Sequence, residues 1–199
     1  MSIDEPQKKD LEISARRKSF ERIMAQNEAV MLRVARRMCQ GDADRAQDLV
    51  QDSLVNAYRA FIDGRFREGT NARAWLLTIL TNVYRNDSRR ARREATSENL
   101  EEIVSGEKEV TSPFVAEKPT GPAEAVLESS LAEPLEKALS GLSDEFRTCV
   151  ILVDVEGLEY AEAAAALGIP IGTVRSRLAR ARLQLHALLY DYAKSLRRV

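Results

Sequence analysis

Apolar residues recur every three to four positions over most of this chain, and that period leaves little room for anything but helix. In FERIMAQNEAVMLRVARRMC (20–39) they fall at Phe20, Ile23, Met24, Val30, Met31, Val34 and Met38. In DADRAQDLVQDSLVNAYRAF (42–61) they fall at Ala46, Leu49, Val50, Leu54, Ala57, Tyr58 and Phe61. Gly41 ends the first run, and Asp42 is placed to cap the second. After the turn-rich DGRFREGT (63–70), a third helical run, NARAWLLTILTNVYRNDSRRARR (71–93), starts behind Thr70 or Asn71 as its cap. No segment shows convincing strand character, so the expected fold class is all-α.

The pattern breaks at residue 94. Between 94 and 133 there are ten glutamates against two lysines, with Pro113, Pro119 and Pro122 close together. That composition predicts an acidic, mobile linker. Helical patterning returns from 134 to 199. Ser143 is placed to cap LSDEFRTCVILVDVEG, with acidic residues in the first turn, and Gly157 stops that helix. YAEAAAALG is a short alanine-rich helix ended by Gly168, and a long final helix starts near Gly172 or Thr173. Two small helical domains, 13–93 and 134–199, joined by the linker 94–133, are expected to follow a short charged N-terminal segment.

Short helix, glycine-containing turn, longer helix is the pattern of a helix-turn-helix. The final helix carries Arg175, Arg177, Arg180 and Arg182. At 100° per residue, Val174, Leu178, Ala181 and Leu185 form one apolar stripe. Arginines flank it on both sides, and the small Ser176 and Ala179 sit on the far face. Small residues at the centre let base edges approach, while flanking arginines reach phosphates on both walls of a major groove. The whole chain has a formal net charge of only −1, so this argument rests on where the charge lies and not on its total.

Residues 71–93 are the second basic concentration, with six arginines against one aspartate. Trp75, Asn82, Tyr84 and Asn86 lie among them. Aromatic and amide side chains between arginines suit unstacked, single-stranded bases. Trp75 is also a reasonable core anchor, since Leu76, Ile79 and Leu80 surround it. The preceding helix has the opposite character. Asp44, Asp48 and Asp52 recur every four residues, with Gln51 and Asn56 nearby, which suits docking of a basic protein partner better than one metal ion.

Other classes of function fit poorly. Cys39 and Cys149 are far apart in apolar stretches and read as buried free thiols, so neither a zinc site nor a disulfide framework is expected. His186 is the one histidine, and no phosphate-binding glycine loop or nucleophile triad is present, so neither an enzyme nor a cofactor is expected. The charged N-terminus lacks a signal sequence and no run is long enough for a membrane span, so a soluble cytoplasmic protein is expected.

These stretches together resemble the extracytoplasmic-function (ECF) group of the sigma-70 family, the promoter-recognition subunits of bacterial RNA polymerase. DADRAQDLVQDSLVNAYRAF is similar to the helix by which sigma domain 2 grips the polymerase clamp. ARAWLLTILTNVYRNDSRRARR is similar to the part that melts and reads the −10 element. LSDEFRTCVILVDVEGLEYAEAAAALGIPIGTVRSRLARARLQL is similar to sigma domain 4, which reads the −35 element. The resemblance implies that Asp48, Leu49, Gln51 and Asp52 contact core RNA polymerase. It implies that Asn86 captures a flipped −10 base, with Trp75, Asn82, Arg89 and Arg90 on the same promoter DNA. It places Arg175, Ser176, Ala179 and Arg180 in the −35 groove, with Thr173, Arg177 and Arg182 on phosphates. FREGTNARAWLLTILTNVYRN and DEFRTCVILVDVEGLEYAE further resemble the thiol-oxidative-stress subgroup, whose members are held by a small zinc-containing anti-sigma factor. The competing reading is a stand-alone helix-turn-helix regulator that binds a palindromic site as a dimer.

Overall fold

The structure is a computed structural model that describes residues 5–67, 69, 71–98 and 133–196. Most of the expected linker, and Thr70 as an expected cap, lie outside the described residues. All regular structure among the described residues is helical. Helix α1 spans Glu5–Met38, α2 Ala43–Ile62 and α3 Ala72–Glu98. Helix α4 covers 133–140, and α5 spans Asp144–Val150. A π-helical turn, Ile151–Val155, continues α5. Helix α6 spans Tyr160–Leu167 and α7 spans Ile171–Leu196.

The local signals act much as the sequence suggests. Gln40 and Gly41 take positive φ (57° and 89°) and turn the chain out of α1. Asp42 then caps α2, its carboxylate accepting from the Arg45 amide at 3.0 Å. Asn71 caps α3, accepting from the Ala74 amide at 3.2 Å. Gly168 (φ 60°) supplies the left-handed residue between α6 and α7. Four details differ from expectation. Helix α1 begins at Glu5, ahead of the expected start at residue 13. Helix α3 runs past residue 93 to Glu98. Ser143 occupies the N-cap of α5 with an extended ψ of 152°, but its hydroxyl makes no cap bond. And the expected single helix up to Gly157 widens into the π turn, where the Glu156 amide bonds the Ile151 carbonyl five residues back at 2.9 Å. The wider turn buries Ile151, Leu152 and Glu156 and leaves Asp154 exposed.

Helices α1–α3 form one lobe and α4–α7 a second. The first is built on Met31, Val34 and Met38 of α1, Leu49 and Val50 of α2, and Leu76, Leu77 and Leu80 of α3. The second is built on Leu139, Val150, Ile151, Leu152, Leu167, Val174 and Leu178. Arg147, fully buried, fixes the α4–α5 turn by donating to the Leu142 carbonyl at 3.3 Å and pairing with Asp144. The two lobes do not stand apart: their buried residues form one continuous cluster. Helix α6 packs on α3 as well as on α7, and α5 with its π turn meets α1. Six of the eight residues of α6 are apolar and five are alanine, which lets α3 come close.

The buried stripe of α7 sets a testable contrast. Leu178→Ala should destabilise the fold by about 2–5 kcal/mol. Leu183→Ala, at a position 55% exposed, should change stability by less than about 0.5 kcal/mol. Urea midpoints of the two variants check both values.

Candidate nucleic-acid interface

Helical spacing and capping decide which side chains of α3 reach outward. Asn71 fixes the start of the helix, and from there Asn82, Asn86, Arg89 and Arg93 follow at intervals that keep them on one face. All four are exposed. Arg90 is exposed beside them. Trp75 is half-buried and packs its ring against Phe66 at a centroid distance of 4.9 Å, which continues through Phe61 to Phe20. It is therefore set apart from the Asn82–Asn86–Arg89 face and anchors the turn before α3. Tyr84 points into the core, its hydroxyl donating to the Met38 carbonyl at 3.1 Å.

Arg85 takes a different path from its neighbours. It lies against Gly168, where a Cβ would stand 3.0 Å from its guanidinium. Arg85, Ser88 and Arg89 of α3 line a cavity of about 270 Å³ together with Glu145 of α5 and Arg177 of α7. Burial lowers the Arg85 pKa, and the nearby charges of Arg89 and Arg177 push it the same way.

On α7, the stripe read from the wheel is the buried one: Val174, Leu178, Ala181 and Leu185 all face inward. Arg175 and Ser176 are exposed on the opposite side, and Thr173, Ala179 and Arg180 are half-buried. The remaining two arginines are held by their own lobe. Arg177 pairs with Glu145 at 2.7 Å. Arg182 grips Asp154 through two hydrogen bonds, at 2.6 and 3.1 Å, and that bond raises its pKa further above the ordinary arginine value. The structure thus distinguishes four arginines that look equivalent in sequence: Arg175 is exposed, Arg180 is half-buried, and Arg177 and Arg182 are braced against α5 and the π turn.

On α2, Asp44, Asp48, Gln51 and Asp52 are exposed along one face, as helical spacing requires. Leu49 instead lies in the core of the first lobe. Val55, 50% exposed, continues the outward face, and with Tyr58 it borders a shallow apolar hollow against Phe20 and Met24 of α1. Sequence reasoning passed over Val55 because it sits one step from the apolar stripe.

Sequence reasoning also missed the polar seam between the lobes. Glu156 is buried and meets arginines of α1 and α3. Arg33 bonds it through two nitrogens, each at 3.2 Å, Arg73 also pairs with it, and Arg37 lies 3.9 Å away. Arg37 also bonds Glu136 of α4 at 2.7 Å, and Asn71 bonds Glu162 of α6 at 3.1 Å. The signal was a glutamate set directly after the aliphatic run VILVDV.

Both cysteines are buried free thiols. Burial pushes Cys149 from 9.0 up to about 11, and raises Cys39 as well. No cluster of metal-ligating side chains occurs among the described residues. None of the helices in the described residues is long and apolar enough to cross a membrane.

Known proteins share this arrangement. Residues 23–94 match sigma-70 region 2, and residues 132–185 match sigma-70 region 4. The ECF RNA polymerase sigma factor EcfG of Rhodopseudomonas palustris is 41% identical over 150 residues, covering 75% of this chain and 74% of that one. The ECF sigma factor SigE of Mycolicibacterium smegmatis is 34% identical over 178 residues, covering 88% of this chain and 63% of that one. Among solved structures, the sigma factor RpoE of Bartonella quintana, crystallised with the anti-sigma factor NepR, matches with a TM-score of 0.64 at 31% identity, over 87% of this chain and 98% of that one. The chain belongs to the ECF group of the sigma-70 family. It is an alternative sigma factor, directing RNA polymerase to initiate transcription at specific promoters.

The thiol chemistry gives a direct check. Maleimide at pH 7.5 should modify neither cysteine until the protein is denatured, because the buried thiols stay protonated. A thiol whose pKa is higher folded than unfolded stabilises the fold below pH 9.0 and loses that contribution as pH rises toward about 11. The loss of stability measured across this window should be smaller in Cys149→Ala than in the parent.

Proposed function

We propose a division of labour among the exposed faces. The outward face of α2, with Asp48, Gln51 and Asp52, docks on core RNA polymerase, and Val55 supplies an apolar centre. Leu49 serves this contact from behind, by holding the helix in the first lobe. Asn86 captures an unpaired −10 base, with Asn82, Arg89 and Arg90 along the same strand. Trp75 supports that face from below through its packing on Phe66. Arg175, Ser176, Ala179 and Arg180 enter the major groove at the −35 element. Thr173 lies at the start of α7, in reach of the backbone. Arg177 and Arg182 reach phosphates only by exchanging Glu145 and Asp154 for them.

The observation that carries this reading is the pairing of two outward basic faces on separate lobes, one in each matched sigma region. An amide-and-arginine face suits splayed bases, and a small-residue face flanked by arginine suits a duplex groove. The role is that of a cytoplasmic specificity factor without catalytic chemistry of its own. A stand-alone dimeric regulator leaves the α2 and α3 faces without a purpose.

Control by an anti-sigma factor fits the likeness to RpoE, which was crystallised with NepR. The two stretches that resemble the thiol-oxidative-stress subgroup favour a zinc-containing partner. The similarity to RpoE favours a NepR-like partner, and it extends over more of the chain. Copurification of the chain with its repressor from the native host, followed by zinc analysis, separates the two: a stoichiometric zinc in the complex supports the first, and its absence the second.

Run-off transcription with core RNA polymerase and a promoter library tests the whole assignment. The parent chain should yield promoter-specific transcripts. Asn86→Ala should reduce them by about tenfold or more, the worth of one lost base contact. Arg175→Ala should cost about 1–3 kcal/mol of discrimination, seen only at promoters that keep the −35 element. Transcripts unchanged in both variants would remove these residues from the site, and no transcripts from the parent would remove the sigma role.

A further inference from the structure

The −10 and −35 elements lie roughly 25 base pairs apart, which is about 85 Å of duplex at about 3.4 Å per base pair. In this structure the two reading helices are neighbours. Helix α6, the first helix of the helix-turn-helix, packs directly on α3, and Arg85 of α3 shares a cavity wall with Arg177 of α7. Packed helices stand only about 8–10 Å apart. A chain in this arrangement cannot span both elements, so the lobes must separate before the promoter is read.

Apolar packing of α6 on α3 joins them, and the ionic contacts between them are concentrated at one carboxylate. The Glu156 side chain is 0% exposed, yet its charged partners among the described residues come from the other lobe. Arg33 presents a forked pair of nitrogens at 3.2 Å to both carboxylate oxygens, Arg73 reaches the same Oε2, and Arg37 lies 3.9 Å from Oε1. Arg33 and Arg73 are themselves 47% and 38% exposed. Opening therefore returns half-solvated arginines to water at little loss, while the carboxylate exchanges three guanidinium neighbours for solvent. Elsewhere on the seam Arg37 pairs with Glu136 and the neutral Asn71 amide bonds Glu162, while Arg85 and Arg177 meet as like charges.

We propose that Glu156 is a positioning residue for promoter recognition: with Arg33, Arg37 and Arg73 it latches the free chain closed, and its release sets how readily the two reading faces come apart. The argument for a required opening rests on the sigma reading above. The latch itself rests only on the contacts in this structure. Because exchange of charged partners for solvent is eased by salt, the latch also makes the closed fraction fall as ionic strength rises. Core polymerase, if it accepts only the open chain, then binds with an apparent affinity reduced by the closed fraction.

The full chain tests this with dyes on Gln47→Cys in α2 and Gln184→Cys in α7, both exposed positions, while the native cysteines stay buried. Energy transfer is followed against sodium chloride, and core-polymerase affinity is measured on the same proteins. In Glu156→Gln, which keeps the shape and loses the charge, the open fraction at low salt should rise by about tenfold, and the salt response should flatten. Core affinity should tighten by the same factor. Arg33→Gln combined with Arg37→Gln attacks the latch from the other lobe and should open the chain likewise, which keeps the test alive if Glu156→Gln fails to fold by circular dichroism. Transfer that stays at the parent value in both variants, or opening with no change in core affinity, overturns the proposal. Parent chain that shows the salt-driven opening but supports no transcription overturns the sigma reading and leaves the latch standing.

Discussion

A carboxylate cannot be buried alone, and in this molecule that constraint organises the relation between the two halves. Glu156 emerges from the π turn with its side chain withdrawn from water, and its ion pairs among the described residues reach across to the other lobe. The compensating charge comes from Arg33 and Arg37 on α1 and Arg73 at the start of α3. Removing an ion from water is repaid only by close, well-formed partners. The seating of one lobe on the other is therefore tied to the position of a single side chain.

The same seating explains why the basic residues of α3 and α7 have unequal surroundings. Asn82 and Asn86 look outward, whereas Arg89, though exposed, borders the cavity shared with the second lobe. Arg85 lies on the side that receives α6 and is drawn toward Gly168. On α7, Arg177 and Arg182 are tied to Glu145 and Asp154. Those pairs brace α7 against α5 and the π turn, so that Arg175 and Ser176 sit exposed on a helix that is fixed from behind.

Much of the fold was legible because helix formation is a local matter. The stripe Val174, Leu178, Ala181, Leu185 is buried because its spacing puts four apolar side chains on one face of any helix. Asp42 and Asn71 cap because their short side chains reach amides three residues on. Where the reading fell short, the cause was tertiary. Ser143 holds the cap position of α5, yet the Arg147 side chain and Asp144 organise that turn instead. The π turn interrupts an aliphatic run whose pattern alone gives no sign of an extra residue. Leu49 belongs to a stretch that resembles a polymerase-binding helix, and its burial assigns the outward part of that face to its neighbours.

The helices, most of their boundaries and the all-α class were readable along the chain, since each depends on contacts within a few residues. Which arginines stay exposed, where Glu156 finds its counter-charge, and how the lobes close on one another came from packing alone. Those outcomes depend on residues as far apart as Arg33 and Glu156, 123 positions along the chain. No local pattern encodes that meeting, because it is set by how helices pack once formed and by the need to pair every charge they bury.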